Sequence, residues 1–389
     1  MSLKREALPL RRQSWDVVVI GAGPAGSMSA IGLTRSGFSV LLVERSAFPR
    51  HKVCGCCLNL AAVQVLKDAG LFPTLRKLGA RPLAEFRLYF KGREVSVRLP
   101  GGYAVSRATL DTALVESAEQ QGTQFLQGVR ASLEELRSDG CSIALVDRSL
   151  KQSIRANVVL CADGLSGSFL SKHPKFVPEV YASSRIGLSA LLPEHSVNVL
   201  PGSIGMAIGS SGYAGFVAVE DRRINLAAAI DAQAIKEAGG SSELALQGIF
   251  KEAGLPVPAA LECADWKGTP PLTRRRHLVG DRRLIVLGDA AGYVEPFTGE
   301  GMAWAMASGQ LAVPLVRLLA VSPSIDLGRE WQRMYGNSIR RRQWICRILR
   351  RILRSEGLLR VAAHASPWMH FVVSSLNRPF PQEVAPHES

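Results

Sequence analysis

Apolar positions along this chain fall into short unbroken runs, strict alternations and helical spacings, and their order fixes a fold class. Val17–Ile20 is an unbroken apolar run of the kind that buried parallel strands need, and Ser39–Val43 reads as a second strand. Glycines and a helix-compatible stretch separate them, so the chain opens on a βαβ unit that ends at Glu44. The stretch "FRLYFKGREVSVRL" alternates around Lys91-Gly92 and predicts a hairpin within 82–106. "SRATLDTALVESAEQQG" returns to helical spacing, with Leu110, Ala113, Leu114 and Ala118 along one side. "ANVVLCADG" predicts another buried strand, 176–230 read as glycine-punctuated strands, and "SSELALQGIFKEAG" reads as a helix. "RLIVLGDAAG" repeats the strand-then-glycine theme, and the last third is largely helical. The expected architecture is α/β: a Rossmann-like parallel sheet, an inserted antiparallel β-rich domain and a C-terminal helical tail.

Composition adds few constraints. Hydrophobic residues at 47% and charged residues at 21% suit a folded globular chain rather than a disordered one. Seven cysteines, an odd and scattered set, argue against a secreted disulfide framework and for a reducing compartment. The first fifteen residues lack a signal-peptide pattern, and no unbroken apolar run reaches about 18 residues. A cytoplasmic protein is expected. The net charge of +14 concentrates late, with ten arginines against three acidic residues from Trp331 onward.

The chemistry begins at Gly21-Ala22-Gly23-Pro24-Ala25-Gly26, a GxGxxG turn between strand and helix. The first glycine permits the tight turn, the second lets backbone approach a pyrophosphate, and the third allows close helix packing. The helix start supplies amide donors and partial positive charge to the phosphates. Glu44 stands 18 residues past Gly26 at the end of the second strand, where a carboxylate accepts from ribose hydroxyls. Arg45 beside it is assigned to the same end of a dinucleotide.

The later stretch "RLIVLGDAAGYVEPFTGEGMAWAMASGQLA" resembles the second flavin motif of the FAD-dependent family that includes geranylgeranyl reductases, aromatic-ring hydroxylases and flavin halogenases. The resemblance implies FAD as cofactor. It places Gly288 and Asp289 at the ribityl chain, and Pro296 and the Gly299-Glu300-Gly301 turn beside the isoalloxazine ring. Arg107 in "VSRATLDTAL" occupies the place of the family's arginine near the diphosphate, and Asp163-Gly164 matches the family's Asp-Gly motif. It also implies an FAD-binding domain from 14–81, 105–175 and 271–325. A substrate domain from 82–104 and 176–270 and a helical region from 326–389 complete the division.

Three cysteines crowd "RHKVCGCCLNL". The C-x-C-C spacing is poor for tetrahedral zinc, and a disulfide between adjacent Cys56 and Cys57 would be strained, so no metal is expected. "KVCGCCL" resembles the Lys-x-Cys-Gly-Gly loop of geranylgeranyl reductases, which crosses over the flavin, with Lys52, Cys54 and Gly55 matching and Cys56 replacing the second glycine. Cys54 is a candidate proton donor opposite a hydride, or a small buried hydrophobe. "GYAGFVAVEDRRIN" resembles the Gly-Tyr-x-Trp-x-Phe-Pro segment of prenyl reductases. Gly212, Tyr213 and Asn225 match, while Gly215, Val217 and Ala218 replace the Trp, Phe and Pro. Tyr213 is the second catalytic candidate, orienting substrate or donating a proton. The halogenase Trp-x-Trp-x-Ile-Pro signature is missing, so halogenation is not expected.

The expected activity is reduction of a C=C bond in an isoprenoid or other apolar small molecule by hydride transfer from reduced flavin. The alternatives are an NAD(P)H- and O₂-dependent monooxygenase, and a flavin-bound redox sensor without turnover. With no second GxGxxG, NAD(P)H or another donor would act at a transient site. The segment "RRRQWICRILRRILRSEG" groups Ile345, Ile348, Leu349, Ile352 and Leu353 opposite Arg347, Arg350, Arg351 and Arg354. Such a helix, with Trp344, suits an anionic membrane surface at the inner face of a bilayer. It equally suits packing on the protein with solvated arginines. No nucleic-acid motif accompanies the charge, so no nucleic-acid partner is expected.

Overall fold

In the computed structural model, which describes residues 8–148, 150–295, 299–353 and 380, two large sheets share one interface. The first is built on Ser14–Ile20, whose Val17, Val18 and Val19 are fully buried. It pairs in parallel with Val40–Glu44 on one side and with the long strand Lys151–Cys161 on the other. Gln124–Gln127 and Leu284–Val286 extend the sheet outward, also in parallel. Continuous apolar strands are what such a sheet demands, because helices cover both faces.

The helix Pro24–Arg35 packs along Gly301–Arg317, and glycine sets how closely they approach. A Cβ on Gly309 would lie 2.3 Å from the Ala25 carbonyl oxygen, and one on Gly32 would lie 2.6 Å from Val313 Cγ2. The span Gly301–Ala320 is long and apolar enough to cross a membrane, yet about two-thirds of its apolar window is buried within the protein. A further hairpin, Arg130–Leu136 and Cys141–Val146, pairs antiparallel onto Lys151–Cys161 and has no counterpart in the sequence reading.

The second sheet has seven strands: Lys267–Pro271, Ile186–Pro193, Arg223–Ile230, Gly212–Val219, Ser203–Gly209, Glu85–Phe90 and Arg93–Arg98. The hairpin at Lys91-Gly92 turns through positive φ at both residues, 49° and 72°, which matches the right-handed twist of its strands. Alternation splits the sheet into two faces. Ala214, Phe216, Leu226 and Ile230 join Leu246, Ile249 and Phe250 of the helix Ser242–Ala253 in one apolar layer. Phe216 stacks between Tyr89 and Phe250 at centroid separations of 6.1 and 6.0 Å. Tyr213, Gly215 and Val217 take the opposite face, toward the first sheet.

At the C-terminal end, Asp326 caps the helix Leu327–Tyr335, accepting from Arg329 N. Buried Trp331 donates Nε1 to the Val286 carbonyl at 2.9 Å. A π-turn, Gly336–Arg340, then leads into Arg341–Leu353. That helix buries Gln343 and Cys346 and exposes Trp344 at 60% and Ile348 at 38%. Ile348, expected on an apolar side, therefore lies at the surface one turn from Trp344. Arg354 lies outside the described residues.

Candidate active site

A cavity of about 550 Å³ runs between the two sheets and collects most of the residues singled out in the sequence. Its floor is the glycine turn. Gly21 adopts φ +101°, and a Cβ there would meet the Ala162 oxygen at 2.3 Å. A Cβ on Gly26 would sit 1.9 Å from the Gly21 oxygen, so these two glycines are demanded by the fold. Gly23 is different. Its Cβ position is open toward the guanidiniums of Arg107 and Arg50, at 3.7 and 3.9 Å. Bare backbone at a helix start beside two arginines is a cradle for a diphosphate, with Pro24 and Ala25 following in the first turn.

Both arginines are organised by a residue the sequence reading did not single out. Asp111 is fully buried and accepts Arg107 Nε and Nη2 at 2.9 and 2.8 Å and Arg50 Nη1 at 3.0 Å. Arg50 also reaches Glu44 at 3.3 Å. The Glu44 carboxylate, 6% exposed, accepts from Ala22 N and Ser46 N, both at 3.1 Å, so it closes the turn as well as facing the cavity. Asp111 lies four residues past Arg107 on the helix Arg107–Gln120, a spacing that signals such a pair. Nothing local marks Arg50.

The far parts of the cavity come from later segments. Asp163 accepts from Phe169 N at 2.9 Å and from the Cys161 thiol at 3.3 Å, and burial raises its pKa. Arg45 donates to Ser166 Oγ at 2.5 Å along the same wall. Gly288 turns at φ +56°, with its Cβ position 3.0 Å from Ala25 Cβ, and Asp289 follows in the turn Gly288–Ala291. Burial lifts the Asp289 carboxyl to about 6, partly opposed by the Arg107 charge. Gly299 and Gly301 line the cavity next to Cys57.

Glu300 does not face the cavity. Its side chain is 1% exposed and accepts from the Cys346 thiol of the C-terminal helix at 3.4 Å, and it is Gly299 and Gly301 on either side that line the cavity. The side chain turns inward because it opens the helix Gly301–Arg317, whose N-terminal side meets that later helix. Pro296 lies outside the described residues.

The cysteine loop forms the lid of this space. Cys54, Gly55, Cys56 and Cys57 all line it, with Lys52 and His51 alongside. Asn225 Nδ2 holds the Cys54 carbonyl at 2.9 Å, Val105 N holds the Cys56 carbonyl at 3.0 Å, and His51 Nε2 meets Ser189 Oγ at 3.0 Å. Cys56 takes φ +58° where the related loops carry glycine. The Cys54 thiol is lowered to about 6, chiefly by a hydrogen bond from the Cys56 thiol, with burial opposing and Arg107 assisting. That same bond raises Cys56, and burial raises Cys57. Cys54 can therefore hold negative charge near neutral pH while its neighbours stay protonated.

Opposite stands the second sheet. Leu188, Ile204, Met206, Gly215, Val217 and Ala227 give it an apolar, small-residue surface. The Cβ position of Gly215 faces the Met206 terminal methyl at 3.3 Å, so a large side chain there would displace Met206 and fill the cavity. Tyr213 supplies the hydroxyl on this face. Burial, then the Glu295 carboxylate, push its pKa well up, so it remains a proton carrier. Arg185 bridges Glu295 at 3.3 Å and lies 5.6 Å from the Tyr213 ring centroid.

The glycine cradle, the paired guanidiniums and the Asp289 turn fit FAD, and comparison with known proteins agrees. The chain is 29% identical over 349 residues to a menaquinone reductase of Mycobacterium tuberculosis, covering 82% of this chain and 79% of the relative. It is 27% identical over 321 residues to a digeranylgeranylglycerophospholipid reductase of Methanococcus vannielii, covering 77% and 76%. Among solved structures, a flavin-dependent brominase superposes with a TM-score of 0.79 at 17% identity over 94% of this chain and 93% of that one. The p-nitrophenol 4-monooxygenase of Pseudomonas putida superposes at 0.75 and 16% identity, over 94% and 97%. These two likenesses establish the fold alone. The FAD binding domain family matches residues 14–321, and the chain belongs to it: the protein is an FAD-dependent oxidoreductase.

Proposed function

We propose that this enzyme reduces a C=C bond of an isoprenoid or similarly apolar molecule. The observation that carries the reading is the apolar, small-residue wall of the second sheet, interrupted by the Tyr213 hydroxyl, in the same cavity that Cys54 lines. FAD in its reduced form would supply the hydride. The chain's residues do the rest. Gly21, Gly23 and the Arg50–Arg107 pair would hold the diphosphate, Asp289 would accept hydrogen bonds from the ribityl chain, and Gly299 and Gly301 would border the ring. Leu188, Ile204, Met206 and Val217 exclude water and press the acceptor toward the cofactor. Tyr213, whose proton burial retains, would deliver the proton that balances the hydride. NAD(P)H or a protein carrier reloads electrons at a transient site.

The test is anaerobic. The flavin is reduced photochemically, the reductant is removed, and prenylated acceptors are added with and without O₂. Reoxidation by an acceptor alone, with a saturated product, supports the reductase. Reoxidation that needs O₂ and yields a hydroxylated product assigns a monooxygenase instead.

The reading extends to location. Trp344 and Ile348 project one turn apart from a helix start rich in arginine, which suits a peripheral position on the cytoplasmic, anionic face of a membrane where apolar substrates dissolve. Co-sedimentation with phosphatidylglycerol vesicles, lost in a Trp344→Ser/Ile348→Ser variant, is the expected result. Equal recovery with and without vesicles would remove the membrane from the account.

A further inference from the structure

We propose that Cys54 and Cys56 form a two-electron dithiol–disulfide pair that exchanges electrons with the bound flavin. This inference rests on FAD binding and not on the choice of substrate.

Four observations converge on the pair. Both side chains line the cofactor cavity, one residue apart in sequence, and both are free thiols in the structure. Cys56 N lies 3.4 Å from Cys54 Sγ and donates to it, and the two thiols shift one another's titration in opposite directions. Cys56 holds φ +58°, a left-handed conformation that side-chain-bearing residues rarely adopt and that glycine adopts freely. The bend carries the Cys56 backbone N back onto the Cys54 sulfur. Finally, the loop is pinned on both sides, by Asn225 on Cys54 and by Val105 on Cys56, so sulfur contact does not depend on a wandering loop.

Cys57 does not compete. Its thiol donates to the Gly55 carbonyl at 3.2 Å, and its Cβ faces Gly299. The Arg107 guanidinium acts on Cys54 and favours the thiolate, which is the attacking species in disulfide chemistry.

The exchange balances without an outside partner. Cys54 as thiolate and Cys56 as thiol form one S–S bond and give up two electrons and one proton. Oxidised FAD accepts the two electrons with that proton and becomes the reduced anion. In reverse, reduced FAD returns both electrons, the S–S bond breaks, and the thiolate and thiol are regenerated. The pair can thus store a second reducing equivalent beside the flavin.

The FAD-loaded full-length protein is oxidised with ferricyanide, desalted and titrated anaerobically with dithionite. Wild type is expected to consume two electrons for the flavin and two more for the disulfide, as two-electron couples require. Cys54→Ser and Cys56→Gly are expected to consume only the flavin's two, and Cys57→Ser to match wild type. Glycine suits φ +58°, so Cys56→Gly keeps the loop's backbone. In parallel, denaturing alkylation and mass spectrometry of the Cys54–Cys57 peptide should label one cysteine before reduction and three after. Uptake of only two electrons by wild type, or three labelled cysteines after oxidation, overturns the pair. Loss of the extra electrons in Cys57→Ser would also overturn it. Because no substrate is present, the outcome is separate from any failure of the C=C reductase reading.

Discussion

Replacing Gly309 by alanine tests whether helix contact positions the cofactor cradle. Taken alone, the substitution should help, because alanine is favoured over glycine inside a helix by about 0.8–1.0 kcal/mol. At Gly309 it cannot. The new Cβ would lie 2.3 Å from the Ala25 carbonyl oxygen and 3.1 Å from Ser29 N, and both obstacles are backbone. Ordinary contact needs at least 3.4 Å, so Pro24–Arg35 must retreat by about an ångström from Gly301–Arg317. Overpacking of this kind costs about 1–3 kcal/mol, which exceeds the propensity gain. Ala25 sits in the first turn of the helix that faces the diphosphate, so displacement should also weaken FAD binding by about tenfold or more. Gly248 is the matched control. It lies within Ser242–Ala253 with nothing within 4 Å of its Cβ position, so Gly248→Ala should stabilise by up to about 1 kcal/mol and leave FAD affinity unchanged. Urea unfolding of flavin-free protein and fluorescence titration with FAD read both quantities. Wild-type stability and affinity in Gly309→Ala would refute the reasoning.

Three further outcomes follow from the site. Asp111→Ala leaves the buried Arg50 and the partly buried Arg107 without their shared carboxylate and should cost about 3 kcal/mol in urea unfolding of the flavin-free protein. Asp289 has a folded pKa of about 6 against an ordinary 3.8, so flavin-free protein gains stability from its protonation. That gain is complete below pH 3.8 and is lost as pH rises through about 6. Asp289→Asn should remove this part of the pH–stability slope, and wild-type FAD affinity should weaken below pH 6 as the carboxylate is lost. Tyr213→Phe keeps the ring's packing but not its proton, and should lower product formation by about 10²-fold or more while the FAD titration stays at wild type.

What the sequence made legible, and what it hid, follows from the range of the forces involved. Buried parallel strands declare themselves through local composition, so Val17–Ile20 was readable. Gly21 and Gly26 were readable because backbone sterics allow nothing else there. The hairpin Arg130–Leu136 and Cys141–Val146 escaped because half of its first strand is solvated and charged, and only pairing with Lys151–Cys161 defines it. Arg50 meets Asp111 across 61 residues, Arg185 meets Glu295 across 110, and Cys346 turns the Glu300 carboxylate inward from 46 residues away. No window of sequence reports such pairs. The cysteine loop joins both kinds of information. Its residues are contiguous and its motif visible, yet its conformation is set by Asn225 from the second sheet and Val105 beside the first. The Asn225 hydrogen bond to the Cys54 carbonyl thus ties the second sheet to the loop that lines the cavity beside Arg107.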